Sequence, residues 1–190
     1  MPKSFVPLTL QKWYLMLWES DFGTYQHEVM GLSYEEMKHE IDMWVEYSKQ
    51  HSPPFFEGII DFLSSYKKLG GIIAVCSHSR AVVIEGHYQM VGMKPDIIYG
   101  SVHGHPELCK PNTFPIDDLK IKYNLVSSDI LVIDDLSPGF VMAKKSGVDA
   151  VGVLYGNGHE LIEHYIKENT LKTFETVKEL EDFVIQQIEE

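Results

Sequence analysis

The sequence predicts an α/β fold in which a doubly wound parallel sheet follows a small N-terminal lobe of helices. The chain of 190 residues is 44% hydrophobic and 23% charged, which is the composition of a globular domain. Short apolar runs alternate with helical patterns over most of the chain, whereas its beginning contains helical patterns alone. Strands that alternate with helices require crossover connections, and these place the strands parallel.

The N-terminal lobe is expected to cover residues 1–52. Residues 8–18 are apolar and aromatic with few helix breakers, and Ser33 followed by Glu36 forms a capping box that starts a second helix. Two consecutive prolines then break the helical pattern, because proline cannot continue a helix. We therefore place the α/β core over residues 53–190.

Apolar runs in the core are expected to form short strands that are buried on both faces. They span residues 72–76, 96–99, 130–133 and 150–154. Helical patterns around them span residues 57–69, 81–91, 161–168 and 177–188. The helix after the third strand has Ser137 as its predicted N-cap, Pro138 at its first position and Gly147 just past its end. Thr176 and Glu179 form another capping box.

Composition excludes several classes of function. A net charge of -12 argues against binding to nucleic acid, which needs a basic surface. The start of the chain lacks the order of a signal peptide, and no apolar stretch approaches the length of a membrane span. Cys76 and Cys109 are too few for a disulfide framework. These observations predict a soluble cytoplasmic protein that binds no membrane. For its oligomeric state we expect a monomer or a weak homodimer.

Polar side chains follow three of the predicted strands. Ser77 and His78 come after the first strand, Lys110 lies in the loop after the second, and Asp134 and Asp135 directly follow the third. In an open parallel sheet, ligands bind at the carboxyl ends of the strands. A hydroxyl group, a lysine and two adjacent carboxylates are therefore expected to meet on one rim of the sheet.

This set of side chains suits a phosphorylated ligand. Asp134 and Asp135 supply the carboxylate oxygens that Mg²⁺ prefers, and we expect them to bind this metal. The metal and Lys110 would neutralise charge on a transferring phosphoryl group. Ser77, together with backbone N–H groups at the start of the next helix, would bind phosphate oxygens. His78 is a further candidate contact for the phosphate.

At these residues the chain resembles the haloacid dehalogenase superfamily of phosphatases and phosphomutases. The string IIAVCS places Ser77 at the second motif of that family, and CKPNTF places Lys110 at the third. The string ILVIDDLSPGFVMAKKSGV places Asp134 and Asp135 at the acidic pair of the fourth motif. The resemblance covers residues 54–154. It implies a Rossmannoid core with a helical cap, Mg²⁺ as the cofactor, and Lys110 and Asp135 as catalytic residues.

The resemblance also implies an activity, the hydrolysis of a small phosphorylated metabolite through an aspartyl-phosphate. By overall layout the nearest relatives are phosphoglycolate phosphatases and β-phosphoglucomutases, so phosphomutase chemistry stays open. Dehalogenase chemistry is disfavoured, because that reaction does not use the metal site which the acidic pair suggests. No motif marks the substrate, since specificity rests on residues of the cap.

The first motif of the family, Asp-x-Asp-Gly-Thr after the first strand, has no match in this chain. Its first aspartate is the nucleophile. The nearest string is residues 19–24, with Glu19 at the nucleophile position, Asp21 two residues later and one residue inserted before Gly23. We favour a different interpretation, in which residues 1–52 are the cap that follows this motif in relatives. The true start would then lie roughly fifteen to twenty codons before Met1, in a segment that also encodes the first core strand, and the chain as given would be inactive or impaired.

The candidate site residues also have purely structural interpretations. Asp134 and Asp135 suit the start of a helix, although Ser137 is expected to cap that helix. Lys110 would otherwise be a surface lysine, and Ser77 would be a turn residue. The position of each residue after a strand favours the functional interpretation.

A rival from another class is a non-catalytic module that keeps the phosphate cradle and binds a ligand or a partner. The missing nucleophile supports it, and the retained site residues oppose it. Arg80 has two equally supported interpretations, a contact to the substrate phosphate and an ordinary exposed arginine. His103 and His105 are separated by one residue, a spacing that occurs in some metal sites, but the sequence shows no third ligand near them. Cys76 is a poor nucleophile, because burial raises the pKa of a thiol.

Overall fold

The computed structural model describes residues 7–19 and 22–189, and it consists of N-terminal helices followed by a parallel α/β core. The N-terminal helices are α1 (Leu10–Glu19), α2 (Phe22–Thr24) with a π-helical turn at Tyr25–Val29, and α3 (Tyr34–Gln50). The core helices are α4 (Ile59–Lys68), α5 (Ala81–Met90), α6 (Phe114–Tyr123), α7 (Ser137–Ser146), α8 (Glu163–Asn169) and α9 (Val177–Glu189). The strands are β1 (Ala74–Cys76), β2 (Ile97–Tyr99), β3 (Leu131–Asp134), β4 (Asp149–Val153) and β5 (Thr173–Phe174).

The strands pair in parallel, as the sequence predicts. β1 pairs with β2 in one sheet, and a second sheet has the order β3-β4-β5. The core is therefore divided between two sheets instead of one, because no strand among residues 22–189 pairs with both β1 and β3. The strand that we expect from the family resemblance would lie between these two, and its existence stays a prediction.

Helices cover both faces of the three-stranded sheet. β4 shows why, since its successive side chains point to opposite faces. Ala150 belongs to one buried cluster with Phe140 of α7 and Ile166 of α8. Val151 belongs to a second buried cluster, which contains side chains of α4 and α9 such as Phe62. The doubly wound α/β architecture is thus confirmed, and each buried aliphatic side chain contributes about 2 kcal/mol to it.

Local sequence signals set most helix ends. Ser33 and Glu36 form the expected capping box, in which the Glu36 N–H donates to Ser33 Oγ and the Ser33 N–H donates to Glu36 Oε2. Thr176 and Glu179 make the same reciprocal bonds before α9. α7 ends at Gly147, whose φ of 64° lies in the left-handed region that favours glycine.

One predicted cap is wrong. The N-cap of α7 is Leu136, and Ser137 is already the first helical residue. The Ser137 hydroxyl instead donates to the carbonyl oxygen of Trp18 at 2.9 Å, because α1 docks on this end of α7. The Asp134 carboxylate accepts the N–H groups of Asp135 at 2.8 Å and Leu136 at 3.1 Å. A tertiary contact therefore displaces the local one that the sequence favours.

The N-terminal helices contact the core in two places. α1 packs against α7 and the 3₁₀ turn His159–Leu161, where the Trp18 ring stacks on Tyr165 with centroids 5.6 Å apart. α3 packs against α5, and the imidazole of His87 donates to the carbonyl oxygen of Ser48 at 3.1 Å. In the described ranges, none of the helices is long and apolar enough to cross a membrane.

Candidate active site

A buried ion pair joins the loop after β2 to the end of β3. Lys110 Nζ lies 2.5 Å from Asp134 Oδ2, and the side chains are only 12% and 10% exposed. Burial acts to lower the pKa of Lys110, but attraction to Asp134 and Asp135 outweighs it and raises that pKa. The structure thus brings Lys110 and Asp134 together at the carboxyl ends of β2 and β3.

Asp134 occupies a tight turn between β3 and α7. Burial raises the pKa of its carboxyl group, and the Lys110 ammonium opposes this rise. The approach of the next helix is unusually close, because a Cβ atom on Gly139 would lie 2.0 Å from Asp134 Oδ2. Gly139 therefore keeps the space in which the carboxylate meets Lys110.

Asp135 is held by a histidine that our sequence analysis missed. His159 is 6% exposed, and its Nε2 lies 2.9 Å from Asp135 Oδ2, while its Nδ1 lies 3.1 Å from the carbonyl oxygen of Gly156. Both oxygens are hydrogen-bond acceptors, so both ring nitrogens donate when the imidazole is protonated. Burial acts to lower the pKa of His159, but Asp135 outweighs it and raises that pKa. His159 lies in the segment after β4, at the same end of the sheet as Asp135, and no motif marks it.

A cavity of about 250 Å³ opens beside these groups. Lys110, Asp134, Asp135 and His159 line it, together with Tyr14 of α1. The Tyr14 ring lies 4.5 Å from the His159 ring, measured between centroids. Burial and the nearby Asp135 charge raise the pKa of Tyr14, so this phenol stays protonated at neutral pH. No local pattern marks Tyr14, because α1 reaches the site only through tertiary packing.

Ser77 and His78 lie at the end of β1, next to this cavity. The Ser77 hydroxyl accepts the N–H of Ser79 at 3.1 Å. Ser77 therefore stabilises this turn, as expected if it were a turn residue. It lines a neighbouring cavity of about 610 Å³. The exposed His78 imidazole donates to the carbonyl oxygen of Lys110 at 2.9 Å and so ties the two loops together. The phosphate roles of both residues remain predictions.

The cysteines lie directly beside the site residues. A hydrogen bond with Cys109 and burial raise the pKa of the Cys76 thiol, which excludes the thiolate that a nucleophile needs. Cys109 donates through its Sγ to the carbonyl oxygen of Ser77 at 3.2 Å. Both cysteines are free.

The remaining candidates lie away from the 250 Å³ cavity. Arg80 pairs with Asp42 of α3 at 3.3 Å, and His105 pairs with Glu107 at 2.9 Å. Glu19 is the exposed last residue of α1, and it lines neither cavity. Asp21, the other residue of the degenerate nucleophile string, lies outside the described residues.

The acidic pair fits Mg²⁺ as a partial set of ligands. Among the residues that the structure covers, no group of three or more His, Cys, Asp or Glu side chains is placed to hold a metal ion. Mg²⁺ usually takes one or two protein carboxylates and completes its shell with water and phosphate oxygens. Asp134 and Asp135 at the wall of a cavity meet that need, and a cation would favour the ionised form of the buried Asp134.

Fold and site together define a doubly wound α/β protein whose charged groups lie at the carboxyl ends of its strands. A predicted phosphatase from Clostridium acetobutylicum has the same fold, with a TM-score of 0.67, 23% identity, and coverage of 86% of this chain and 76% of that chain. A haloacid dehalogenase-like hydrolase from Streptococcus pneumoniae matches with a TM-score of 0.71, 16% identity, and coverage of 95% and 83%. CbbY from Rhodobacter sphaeroides in complex with phosphate matches with a TM-score of 0.57, 16% identity, and coverage of 77% and 64%.

The sequence profile of the haloacid dehalogenase-like hydrolases matches residues 18–153. The match includes Ser77, Lys110, Asp134 and Asp135, and it begins well before the residues that carry the motifs. No curated protein sequence matches the chain. The match spans most of the chain, and the chain therefore belongs to the haloacid dehalogenase-like hydrolase family.

Proposed function

We propose that this protein is a Mg²⁺-dependent phosphohydrolase for a small phosphorylated metabolite, of the type that works through an aspartyl-phosphate. The observation that carries the proposal is the buried pair of Lys110 and Asp134 beside Asp135. A buried cation and two carboxylates on the rim suit a phosphoryl group held together with a divalent metal. The phosphate bound by the structurally similar CbbY supports the same ligand chemistry.

Each side chain has a distinct task in this proposal. Asp134 and Asp135 hold Mg²⁺, which when bound neutralises phosphoryl charge. Lys110 attracts the phosphoryl oxygens, and the hydroxyl of Ser77 donates to one of them. An aspartate attacks phosphorus, the substrate oxygen leaves with the electrons of the broken P–O bond, and water then releases inorganic phosphate from the aspartyl-phosphate. Tyr14 reaches the cavity from α1 and helps to exclude water.

The nucleophile is the missing part of this set. Of the acidic residues that the structure describes, Asp134 and Asp135 alone line the 250 Å³ cavity, and we assign both to the metal. We therefore propose that the 190-residue chain is inactive or strongly impaired without an aspartate supplied by a further segment. The unpaired edges of β1 and β3 suit a strand that would carry it.

The organisation of the chain is part of the proposal. Residues 1–52 act as a helical cap over the α/β core of residues 53–190. The free thiols of Cys76 and Cys109 fit a reducing compartment, and we assign the protein to the cytoplasm. We expect a monomer or a weak homodimer.

A phosphatase assay with an aryl phosphate, with and without Mg²⁺, tests the function. The chain is assayed beside a version that is extended at its amino end by the upstream coding sequence. We expect Mg²⁺-dependent activity in the extended version alone. Asp135→Asn should lower that activity by about a hundredfold or more, because a metal ligand is lost.

Asp149→Asn is the matched control for this assay. Asp149 is an exposed aspartate at the start of β4, at the opposite end of the same sheet, so its replacement should leave activity unchanged. Mg²⁺-dependent activity in the unextended chain would contradict the proposed impairment and would point to Glu19 or Asp21 as the nucleophile. The absence of phosphatase activity in both versions would favour a non-catalytic binding module.

A further inference from the structure

The second cavity lies between the helical lobe and the core. It has a volume of about 610 Å³, which is in the range of small-molecule sites. Residues of α3 form one wall, while β1 and α5 form the other. Ser77, the proposed phosphate ligand, is part of this second wall. The proposed phosphate ligand Ser77 therefore contributes to one wall of this cavity, and α3 forms the wall across from it.

An aromatic ladder covers the α3 side of this cavity. Trp44, Tyr47 and His51 follow each other at the spacing of three and four residues that places side chains on one helix face. The Trp44 and Tyr47 rings have centroids 6.0 Å apart and are inclined by 26°, and the Tyr47 and His51 rings are 4.1 Å apart and inclined by 10°. Trp44 is 56% exposed and Tyr47 is 53% exposed, so both rings keep a large free surface.

The far wall is aromatic and apolar as well. Phe55 and Tyr88 line it with ring centroids 5.0 Å apart. No Asp, Glu, Lys or Arg stands among the described residues that line this cavity. The carbonyl oxygen of Ser48 is already used by His87, which links α3 to α5. Serine, histidine and tyrosine side chains also line the cavity, but several already have partners, since His51 bonds to the carbonyl oxygen of Tyr47 and the Ser52 hydroxyl donates to that of Pro53. A polyol would therefore compete with existing hydrogen bonds, which weakens its binding.

We propose that this second cavity binds the leaving group of the substrate, and that this group carries a planar aromatic ring instead of a polyol chain. The inference rests on the proposed phosphohydrolase function and adds the class of substrate, an aryl or heteroaryl phosphate monoester. The exposed ring surface of Trp44 and Tyr47 on α3 provides the contact for the ring, and Ser77 lies in the wall across from them.

Equilibrium binding tests the inference without turnover. Phenylphosphonate and propylphosphonate share the head group and resist hydrolysis, and they differ in the group on phosphorus, a planar ring against a short alkyl chain. Both are titrated into the full chain by calorimetry in the presence of Mg²⁺, beside inorganic phosphate. We expect phenylphosphonate to bind about tenfold more tightly than propylphosphonate, since stacking on aromatic side chains favours the ring.

Variants of α3 locate the effect. Trp44→Ala and Tyr47→Ala should each remove most of the preference for the ring and leave phosphate binding unchanged, because neither side chain lines the 250 Å³ cavity. Tyr34→Ala is the matched control, since Tyr34 lies on the same helix, is 76% exposed and lines neither cavity. Circular dichroism verifies that the variants keep their helices.

The outcomes separate this inference from the proposed function. Equal affinity for the two phosphonates, with phosphate still bound, would overturn the inference and leave the function intact. A preference for the ring that survives both Trp44→Ala and Tyr47→Ala would also overturn it, because the ring would then bind elsewhere. If phosphate and both phosphonates fail to bind to the chain and to its extended version alike, the proposed function is wrong and this inference falls with it.

Discussion

The buried His159 ring makes two hydrogen bonds and holds Asp135 in place through one of them. The ring is buried between two acceptors, the carboxylate of Asp135 and the carbonyl oxygen of Gly156. The second contact fixes the ring plane, so the first contact fixes where one oxygen of Asp135 points. We therefore expect His159 to be a positioning residue for Asp135, in the way that hydrogen bonds commonly orient carboxylates that bind metals.

The position of His159 predicts an effect of its replacement on Mg²⁺ affinity. His159→Ala should weaken Mg²⁺ binding by about tenfold or more, because Asp135 loses the donor that orients it. His159→Gln keeps a donor of similar length and should restore part of the affinity. Calorimetric titration with Mg²⁺ measures both effects without any need for activity. His164→Ala serves as the control, since His164 is exposed and stacks on Tyr165 away from the cavity; an unchanged affinity in His159→Ala would contradict the role.

Among the elements, the start of β2 depends on one carboxylate. Asp96 Oδ2 accepts the N–H of Ile73 at 2.9 Å, and Asp96 Oδ1 accepts a hydrogen bond from the Lys67 ammonium at 2.8 Å. Lys67 also donates to the carbonyl oxygen of Lys94 at 2.9 Å. Asp96 thus fastens the end of α4 to both strands of the smaller sheet.

Replacing this carboxylate should weaken the fold in a pH-dependent way. Burial acts to raise the pKa of Asp96, but the Ile73 N–H and the Lys67 ammonium outweigh it and lower the pKa below its ordinary value of 3.8. The stabilisation is therefore complete above that value and is lost as pH falls through the lowered pKa. Asp96→Asn should lower the free energy of unfolding by about 1 kcal/mol at neutral pH.

Urea denaturation over a range of pH values tests this prediction. The curves of the original chain and Asp96→Asn should converge in acid, where both side chains are uncharged. Asp182→Asn is a suitable control, because Asp182 is 65% exposed in a surface pair with Lys178 and should contribute little. A difference that grows toward low pH would contradict the assignment.

The elements also show what the sequence can and cannot predict. Helix ends with reciprocal caps, such as the one at Ser33, were predictable because their bonds join residues three apart. β5 was missed, since its two residues give no periodic pattern. Lys110 and Asp134 were predictable because each follows a strand on the same rim. The position of Tyr14 in the cavity and the hydrogen bond from Ser137 to Trp18 were not predictable. Both depend on how α1 packs against the core, and no local sequence pattern describes that packing.

The two sheets of the protein are expected to differ in stability. The sheet of β3, β4 and β5 has a buried cluster on each face, and Val151 at its centre is fully buried. The sheet of β1 and β2 has three residues per strand, and Ala74 within it is exposed. Two-stranded sheets are marginal on their own, so this half relies on its helices.

Native-state hydrogen exchange should show this difference directly. The Gly152 N–H, which donates to the carbonyl oxygen of Lys172 at 2.9 Å, should exchange at least about tenfold more slowly than the Ser77 N–H, which donates to the carbonyl oxygen of Tyr99 at 2.9 Å. Exchange followed by mass spectrometry or NMR gives the two rates. Equal protection would mean that both sheets open only in global unfolding.

Gly139 carries no chemistry, yet its replacement would disturb the site. The smallest possible side chain at this position would meet the Asp134 carboxylate at 2.0 Å, so every substitution there moves either the helix or the carboxylate. A missense change at codon 139 therefore displaces the same carboxylate that a missense change at codon 134 removes. In a population under selection for the proposed activity, we expect missense alleles at the two positions to be eliminated alike.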